Sequence, residues 1–424
     1  MESIARTFGD IPRIAAEKWP NAEAFVSNEK RISFSEFDAE VDRAAKGLYA
    51  RGVRPGDVVG IWITNRIEFA VAHLAVLKIG AISAPLNTRY REQDIAYALK
   101  HSECKLLIFV ESSGAINYRE ILKAVLPDYD GMTFSRSAEF PHLEGIVEVG
   151  QSDDVSEVAW ERFLDGSGAV SDEQLSALAE GVEPEDTAMM IFTSGTTGHP
   201  KAVLQSHSIL RNLTERHRLW PLKAGDAVLN ALPMFHLYGM TDVLFAGLVM
   251  GQKQVVLNNW DADEAIDLIV SEGIAGLHGF DTHYADILRR RDARNADLSS
   301  VKFGTLPSGM ENSNAVALEV QKSLCPTVSG MGMSEVGCFI CMSDLGDTEE
   351  QRCKTSGKPM PGIEVAVVDP ISGEEQPFGT EGELRYRGYT LMSGYFRNPE
   401  ATAEAIDAEG WLHSGDCGVK RPDG

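Results

Sequence analysis

Residues 193–201 read TSGTTGHPK: four hydroxyls, two glycines, a histidine, a proline and a closing lysine in nine positions. The backbone amides at Gly195 and Gly198 can turn toward one point and form an anion-binding nest. The hydroxyls of Thr193, Ser194, Thr196 and Thr197 add donors, and Lys201 adds a charge. Phosphate is the ligand that uses all three. The spacing is not that of a Walker loop, which needs G-x-x-x-x-G-K-[ST]. Here Gly195 and Gly198 stand too close, and Lys201 follows Gly198 by three. The apolar runs AMMIF before and AVLQ after predict two strands, so the loop reads as a hairpin-like flap. A solvated Gly/Thr turn with a surface lysine has the same composition.

Other residues could do chemistry at a distance in sequence. His236 lies in MFHLYG, Glu335 closes GMGMSE, and Asp416 closes WLHSGD. Cys338 and Cys341 have CxxC spacing, but only the isolated Cys325 and Cys353 lie near. Without a second CxxC, that pair reads as two small residues beside a packed site rather than a metal or redox centre.

These residues need a scaffold, and the pattern around them supplies one. From residue 30, short apolar runs alternate with helical periodicity. RISF precedes a helix in which Phe37, Val41, Ala45 and Leu48 recur at helical spacing, ended by Gly52. DVVGIWI, AISAPL and KLLIFV read as strands, with helices EFAVAHLAVLKIG and EQDIAYALKH between them. Residues 150–187 are acidic and polar and read as a connection with one short helix, DEQLSALAE. The rhythm resumes at DAVLNALP and runs through QVVLNN, IAGLHG, VKFGTLPS and PTVSGMG, with helices between. After about residue 345 come short strands with Gly and Pro turns. The fold class expected is therefore α/β. It has two doubly wound, mostly parallel sheet subdomains (1–178 and 179–344) and a small β-rich subdomain (345–424).

Composition narrows the partners. The chain has 424 residues and a net charge of −24, with 39 basic and 63 acidic residues. Such a surface repels phosphate backbones, which weighs against nucleic acids and anionic membranes. The most apolar window, residues 69–86, contains His73, Lys78 and Pro85 and reads as buried helix and strand, not a membrane span. Six cysteines form no disulfide framework, and no secretory signal pattern opens the chain, so a cytoplasmic protein is expected.

TSGTTGHPK resembles the signature of the adenylate-forming superfamily: acyl- and aryl-CoA synthetases, peptide-synthetase adenylation domains and beetle luciferases. LPMFHLYGM (232–240), GMGMSE (330–335), TSGKPMPG (355–362), GELRYRGYTLMSGY (382–395) and GWLHSGD (410–416) follow in the order and rough spacing of that family. The resemblance covers essentially the whole chain. It implies a carboxylic acid attacking the α-phosphate of ATP, giving an acyl-adenylate and pyrophosphate, with CoA then displacing AMP. Two unit charges at ~4 Å repel by about 4 kcal/mol at a surface-like dielectric. That is about a thousandfold in rate, so cations and donors must offset it.

Roles follow from the resemblance. Thr193, Ser194, Gly195, Thr196, Thr197 and Gly198 would cradle the β- and γ-phosphates, with Lys201 neutralising them. Glu335 matches the magnesium ligand, with Ser334 where the family usually has Thr. Asp416 would take the ribose hydroxyls. Ser308, Gly309 and Met310 sit where backbone meets adenine, and Gly330, Gly332 and Met333 flank Met331, which takes a usually aromatic stacking position. His236 would gate the acyl and pantetheine pocket. Amino-acid-activating members carry Asp there, so a simple acid is favoured. Leu237, Tyr238, Gly239, Val336 and Gly337 would line the acyl pocket. Asp281 replaces the usual proline of a Pro-Thr pair; facing that pocket, it would favour a polar or cyclic acid over a plain fatty acid.

The resemblance implies fatty- or aryl-acid metabolism, with ATP, Mg2+ and CoA, and admits a homodimer. It also implies a C-terminal lid domain beyond Gly424, carrying an adenylation lysine. The chain is then expected to be the N-terminal domain and to turn over poorly alone. Two other readings are an acyl-AMP ligase loading a carrier protein and a nucleotide-binding homologue without catalysis.

Overall fold

A computed structural model describes residues 5–28, 30–150, 156–193 and 200–424. The chain divides into two compact units, Met1–Ala202 with Lys223–Asp261, and Val203–Leu222 with Ala262–Gly424.

In the first unit, strands Val58–Trp62, Ile82–Pro85, Leu106–Val110, Gly145–Val149 and Thr187–Thr193 run parallel. Gly60 stands between Ala84 and Leu107 in register. Val58–Trp62 and Leu106–Val110 are buried along their whole length, as parallel strands covered on both faces must be. A second parallel set joins Glu23–Val26, Lys253–Val256 and Ala227–Asn230, with Arg31–Ser33 antiparallel at its edge. Helix Ile67–Lys78 is buried from Phe69 to Lys78, which explains why it reads as nearly continuous apolar sequence. Its two polar groups are paired: Lys78 with Asp38 and Asp42, and His73 Nδ1 with Ser83 Oγ at 2.6 Å. Helix Phe34–Ala50 starts on a capping box between Ser33 and Glu36 and stops before Gly52, whose φ of +89° no helix continues.

In the second unit, Ile274–His278, Phe303–Thr305 and Thr327–Val328 are parallel and alternate with helices Ala262–Glu272, Asp281–Arg294 and Glu311–Ser323. Antiparallel structure follows: the hairpin Gly330–Met333 and Cys338–Met342, then Ile363–Val368, Glu381–Gly388 and Leu412–Val419. Strand Lys201–Ser206 pairs antiparallel with Gly394–Tyr395, Val203 opposite Tyr395.

The expected α/β alternation is present, with parallel sheets flanked by helices. Several elements are absent from the sequence reading, three of them in the middle of the chain. The acidic connection carries two helices, Trp160–Asp165 and Asp172–Glu180, rather than one. Helix Ile209–His217 was not anticipated. A π-helical stretch, Tyr238–Phe245, follows the His236 motif.

Candidate functional site

The loop between Thr193 and Pro200 holds Ser194, Gly195, Thr196, Thr197 and Gly198, which lie outside the described residues. Its two ends are anchored. Thr193 Oγ1 donates to the Lys201 carbonyl at 3.4 Å, and Tyr97 Oη donates to the Pro200 carbonyl at 3.0 Å. Tyr97 sits on helix Glu92–His101 and stacks on His101, centroids 5.2 Å apart, which in turn meets Phe192 edge-on at 6.4 Å. An aromatic ladder thus supports the base of the loop.

The His236 segment hangs from Asn65. The buried Asn65 amide donates to the carbonyls of Leu232 (2.8 Å) and Leu257 (3.3 Å) and accepts from Met234 N (2.8 Å). His236 Nδ1 accepts from Tyr238 N at 3.3 Å, so the neutral ring carries its proton on Nε2. His236 is exposed at the surface, and partial desolvation of its ring lowers its pKa. Leu237, Tyr238 and Gly239 are buried. A Cβ on Gly239 would stand 2.5 Å from the Pro233 carbonyl oxygen, so only glycine fits. The π-helical winding that follows is a form concentrated at functional sites.

In the second unit, the three-residue turn Ser334–Val336 presents Glu335. Glu335 is buried, and its Oε1 accepts from the Tyr395 hydroxyl at 2.9 Å. Burial first, then the Glu335 charge and hydrogen bond, push the Tyr395 pKa upward, so Tyr395 remains a donor. The turn's backbone is held too: Gln205 Nε2 donates to the Ser334 carbonyl (2.7 Å) and Met392 N to the Glu335 carbonyl (2.7 Å). Val336 and Gly337 are buried behind the turn, Gly337 with φ +72°.

The hairpin 330–342 is tight because Gly332 has no side chain; a Cβ there would lie 1.7 Å from the Cys338 oxygen. Gly330 is buried and Met333 half-buried. Met331 Sδ accepts from the Tyr386 hydroxyl at 3.1 Å. The Tyr386 pKa is raised by burial first, with the Asp416 charge among the further causes, so Met331, Tyr386 and Asp416 lie in one neighbourhood. Asp416 is exposed on strand Leu412–Val419, its N–H donating to Ser414 Oγ at 3.0 Å. Ser308 N donates to Ser329 Oγ (2.9 Å), Gly309 has φ +113°, and Met310 is exposed. Asp281 opens a helix, half-exposed, with Oδ1 accepting from Thr282 N at 2.8 Å.

All six cysteines are free. Cys338 and Cys341 are buried, and burial pushes the Cys341 thiol up to about 12, a protonated and unreactive group at neutral pH. Among the described residues, no three His, Cys, Asp or Glu side chains gather around a metal point. Magnesium asks for less: one or two carboxylates, with phosphate and water completing six positions. The buried carboxylate of Glu335, held by the Tyr395 hydroxyl, fits that demand. Among the described residues, no helix is long and apolar enough to cross a membrane.

Sequence reasoning did not single out Tyr97, Asn65, Gln205, Tyr386 and Tyr395, each of which is hydrogen-bonded to a candidate residue or its segment. Gln205 left a signal, a polar residue inside the apolar strand pattern AVLQ, and Tyr386 and Tyr395 stand inside the motif GELRYRGYTLMSGY.

Parallel sheets flanked by helices, with the motifs at residues 193–201, 330–335 and 410–416, point to the adenylate-forming class of enzymes. The chain belongs to the AMP-binding enzyme family, whose model matches residues 13–396. It is 27% identical over 429 residues to the putative acyl-CoA synthetase YngI of Bacillus subtilis (strain 168), covering 100% of this chain and 78% of that protein. It is 28% identical over 425 residues to the mitochondrial medium-chain acyl-CoA ligase ACSF2 of Bos taurus, covering 98% and 69%. In fold it is similar to the N-terminal domain of FACL13 from Mycobacterium tuberculosis, with a TM-score of 0.82 at 20% identity over 99% of this chain and 98% of that one.

Proposed function

We propose that the protein activates a carboxylic acid with ATP and passes the acyl group to CoA. The observation that carries this reading is the AMP-binding family match over residues 13–396. A carboxylate oxygen bonds to the α-phosphorus and pyrophosphate leaves. The CoA thiol sulfur then bonds to the acyl carbon and AMP leaves, with the thiol proton passing to solvent or a base.

Thr193, Ser194, Gly195, Thr196, Thr197, Gly198 and Lys201 hold the departing pyrophosphate. Glu335 would hold magnesium, which would spread the phosphate charge. Asp416 takes the ribose hydroxyls. Ser308, Gly309, Met310, Gly330, Met331, Gly332, Met333 and Ser334 form the adenine side, and His236, Leu237, Tyr238, Gly239, Val336 and Gly337 the acyl side. The neutral His236 ring, its proton on Nε2, offers a donor without adding charge. The proposed subdomains are 1–178, 179–344 and 345–424, and the proposed compartment is the cytoplasm. A medium-chain fatty acid is the first substrate to try, given the name of the ACSF2 relative.

The test is pyrophosphate release with a panel of short, medium, long and aryl acids, with and without CoA. Acid-dependent release, with thioester formed on adding CoA, supports the reading. Acyl-AMP that accumulates and transfers only to a carrier-protein thiol would redirect it to a carrier-loading ligase. The absence of both pyrophosphate release and nucleotide binding would overturn it.

A further inference from the structure

A three-residue turn has little means of holding a buried carboxylate in one direction. Burying an ionised group is costly unless donors meet it. The turn Ser334–Val336 meets that cost with parts from elsewhere in its unit. Gln205 Nε2 grips the Ser334 carbonyl at 2.7 Å and Met392 N the Glu335 carbonyl at 2.7 Å. Tyr395 Oη holds Glu335 Oε1 at 2.9 Å. Gln205 and Tyr395 lie on paired strands, Val203 opposite Tyr395 and Leu204 opposite Gly394, with Ser393 N donating to the Leu204 carbonyl at 2.9 Å. Backbone and side chain of Glu335 are therefore fixed by one hydrogen-bonded patch.

Gln205, Glu335, Met392 and Tyr395 are all buried in this patch. Gln205 is fully buried, and its Oε1 has no hydrogen-bond partner among the described residues. A buried amide that leaves one end unsatisfied retains that cost for the sake of the other end, and the other end is the bond to Ser334. Tyr395 occupies one of the roughly four acceptor sites on a carboxylate. The charge-assisted bond orients the group without neutralising it.

We propose that Tyr395 and Gln205 are positioning residues that aim the Glu335 carboxylate at a divalent cation bound with the nucleotide. The inference rests on the reading of Glu335 as the magnesium ligand. Neither residue touches substrate; each acts through Glu335.

The experiment is Mn2+ binding to this chain in the presence of ATP, followed by electron paramagnetic resonance, for the parent, Glu335→Gln, Tyr395→Phe and Gln205→Leu. Melting temperature and metal-free ATP binding are measured alongside. Loss of a partner to a metal-ligating carboxylate costs about tenfold or more in metal affinity. Tyr395→Phe is expected to weaken Mn2+ binding about tenfold, and Gln205→Leu in the same direction, with metal-free ATP binding unchanged. Mn2+ affinity equal to the parent's in both variants, with only the melting temperature lowered, overturns the proposal and leaves a structural role. If Tyr395→Phe does not fold, Gln205→Leu alone decides. If Glu335→Gln binds Mn2+ as the parent does, the ligand reading of Glu335 falls first, and the proposal falls with it.

Discussion

The Tyr97 hydroxyl donates to the carbonyl of Pro200 across 3.0 Å, tying helix Glu92–His101 to the residue just before Lys201. Proline has no N–H of its own, so its carbonyl is the only backbone group there that can be held. Tyr97→Phe removes the hydroxyl and keeps the stacking on His101. One neutral hydrogen bond is worth about 0.5–1.5 kcal/mol. The expected result is a rise of about threefold to tenfold in KM for ATP, on the basis of that energy, with KM for the acid unchanged. Steady-state kinetics with each substrate varied in turn checks it. Equal changes in both KM values would place the effect outside the loop.

His278 sets an acid limit on stability. Its ring is buried between Trp220 (5.0 Å) and Phe303 (6.2 Å), with Nδ1 2.8 Å from Thr305 Oγ1. Burial pushes its pKa down from 6.5 to about 3. Between those values the unfolded chain binds a proton that the folded chain refuses, so ΔG of unfolding rises with pH there. Stability attached to His278 is complete above about pH 6.5 and is lost as pH falls toward about 3. Urea unfolding midpoints between pH 7 and 4 are expected to fall less for His278→Phe than for the parent. Parallel curves would show that other groups carry the whole acid dependence.

The legibility of the chain follows from its periods. Strands buried on both faces, such as Val58–Trp62 and Leu106–Val110, are apolar throughout and bounded by turns, so they stood out. Helix Trp160–Asp165 did not, because six residues carry too little of a 3.6-residue period, although Trp160, Phe163 and Leu164 are spaced for one face. Helix Ile209–His217 was hidden because it buries Asn212, Arg216 and His217, polar residues that blur its apolar face. The π-helical stretch Tyr238–Phe245 is buried at every residue and has no stripe at all. Among the candidate residues, the motif positions of Glu335, His236 and Asp416 were readable. Their supports were not, since a bond such as Tyr395 to Glu335 spans 60 positions and depends on strand pairing that no local pattern encodes.

Gly337 and Ile209 are fitted to each other. A Cβ on Gly337 would stand 2.5 Å from Ile209 Cγ2, and the φ of +72° disfavours any L side chain. Gly337→Ala is expected to destabilise through both the clash and the backbone, the backbone part being about 1–2 kcal/mol. Adding Ile209→Ala removes the clash and leaves the backbone cost. The double variant is therefore expected to gain back less than it would if sterics alone mattered. A double-mutant cycle by urea unfolding measures this directly. Full additivity of the two changes would contradict the contact.

Met331 offers a gain-of-affinity test. Its sulfur accepts the Tyr386 hydroxyl at 3.1 Å, in the neighbourhood of Asp416, and the position is usually aromatic in the family it resembles. A thioether packs softly and follows a neighbouring hydroxyl, whereas a ring presents a flat face on which a base can stack. Stacking of a base on an aromatic side chain is worth about 1–3 kcal/mol where it has been measured by truncation. Met331→Tyr is expected to tighten binding of ATP or an acyl-adenylate analogue by about fivefold or more, the lower end of that range, with KM for the acid unchanged. Tyr386→Phe separates the two contributions. It frees the Met331 sulfur without adding a ring, so it is expected to lower thermal stability while leaving nucleotide affinity close to the parent's. Calorimetric titration of both variants with ATP decides the matter. A Met331→Tyr chain that binds ATP no better than the parent would mean that residue 331 does not face the base, and the adenine side would have to be sought among residues 308–310 alone.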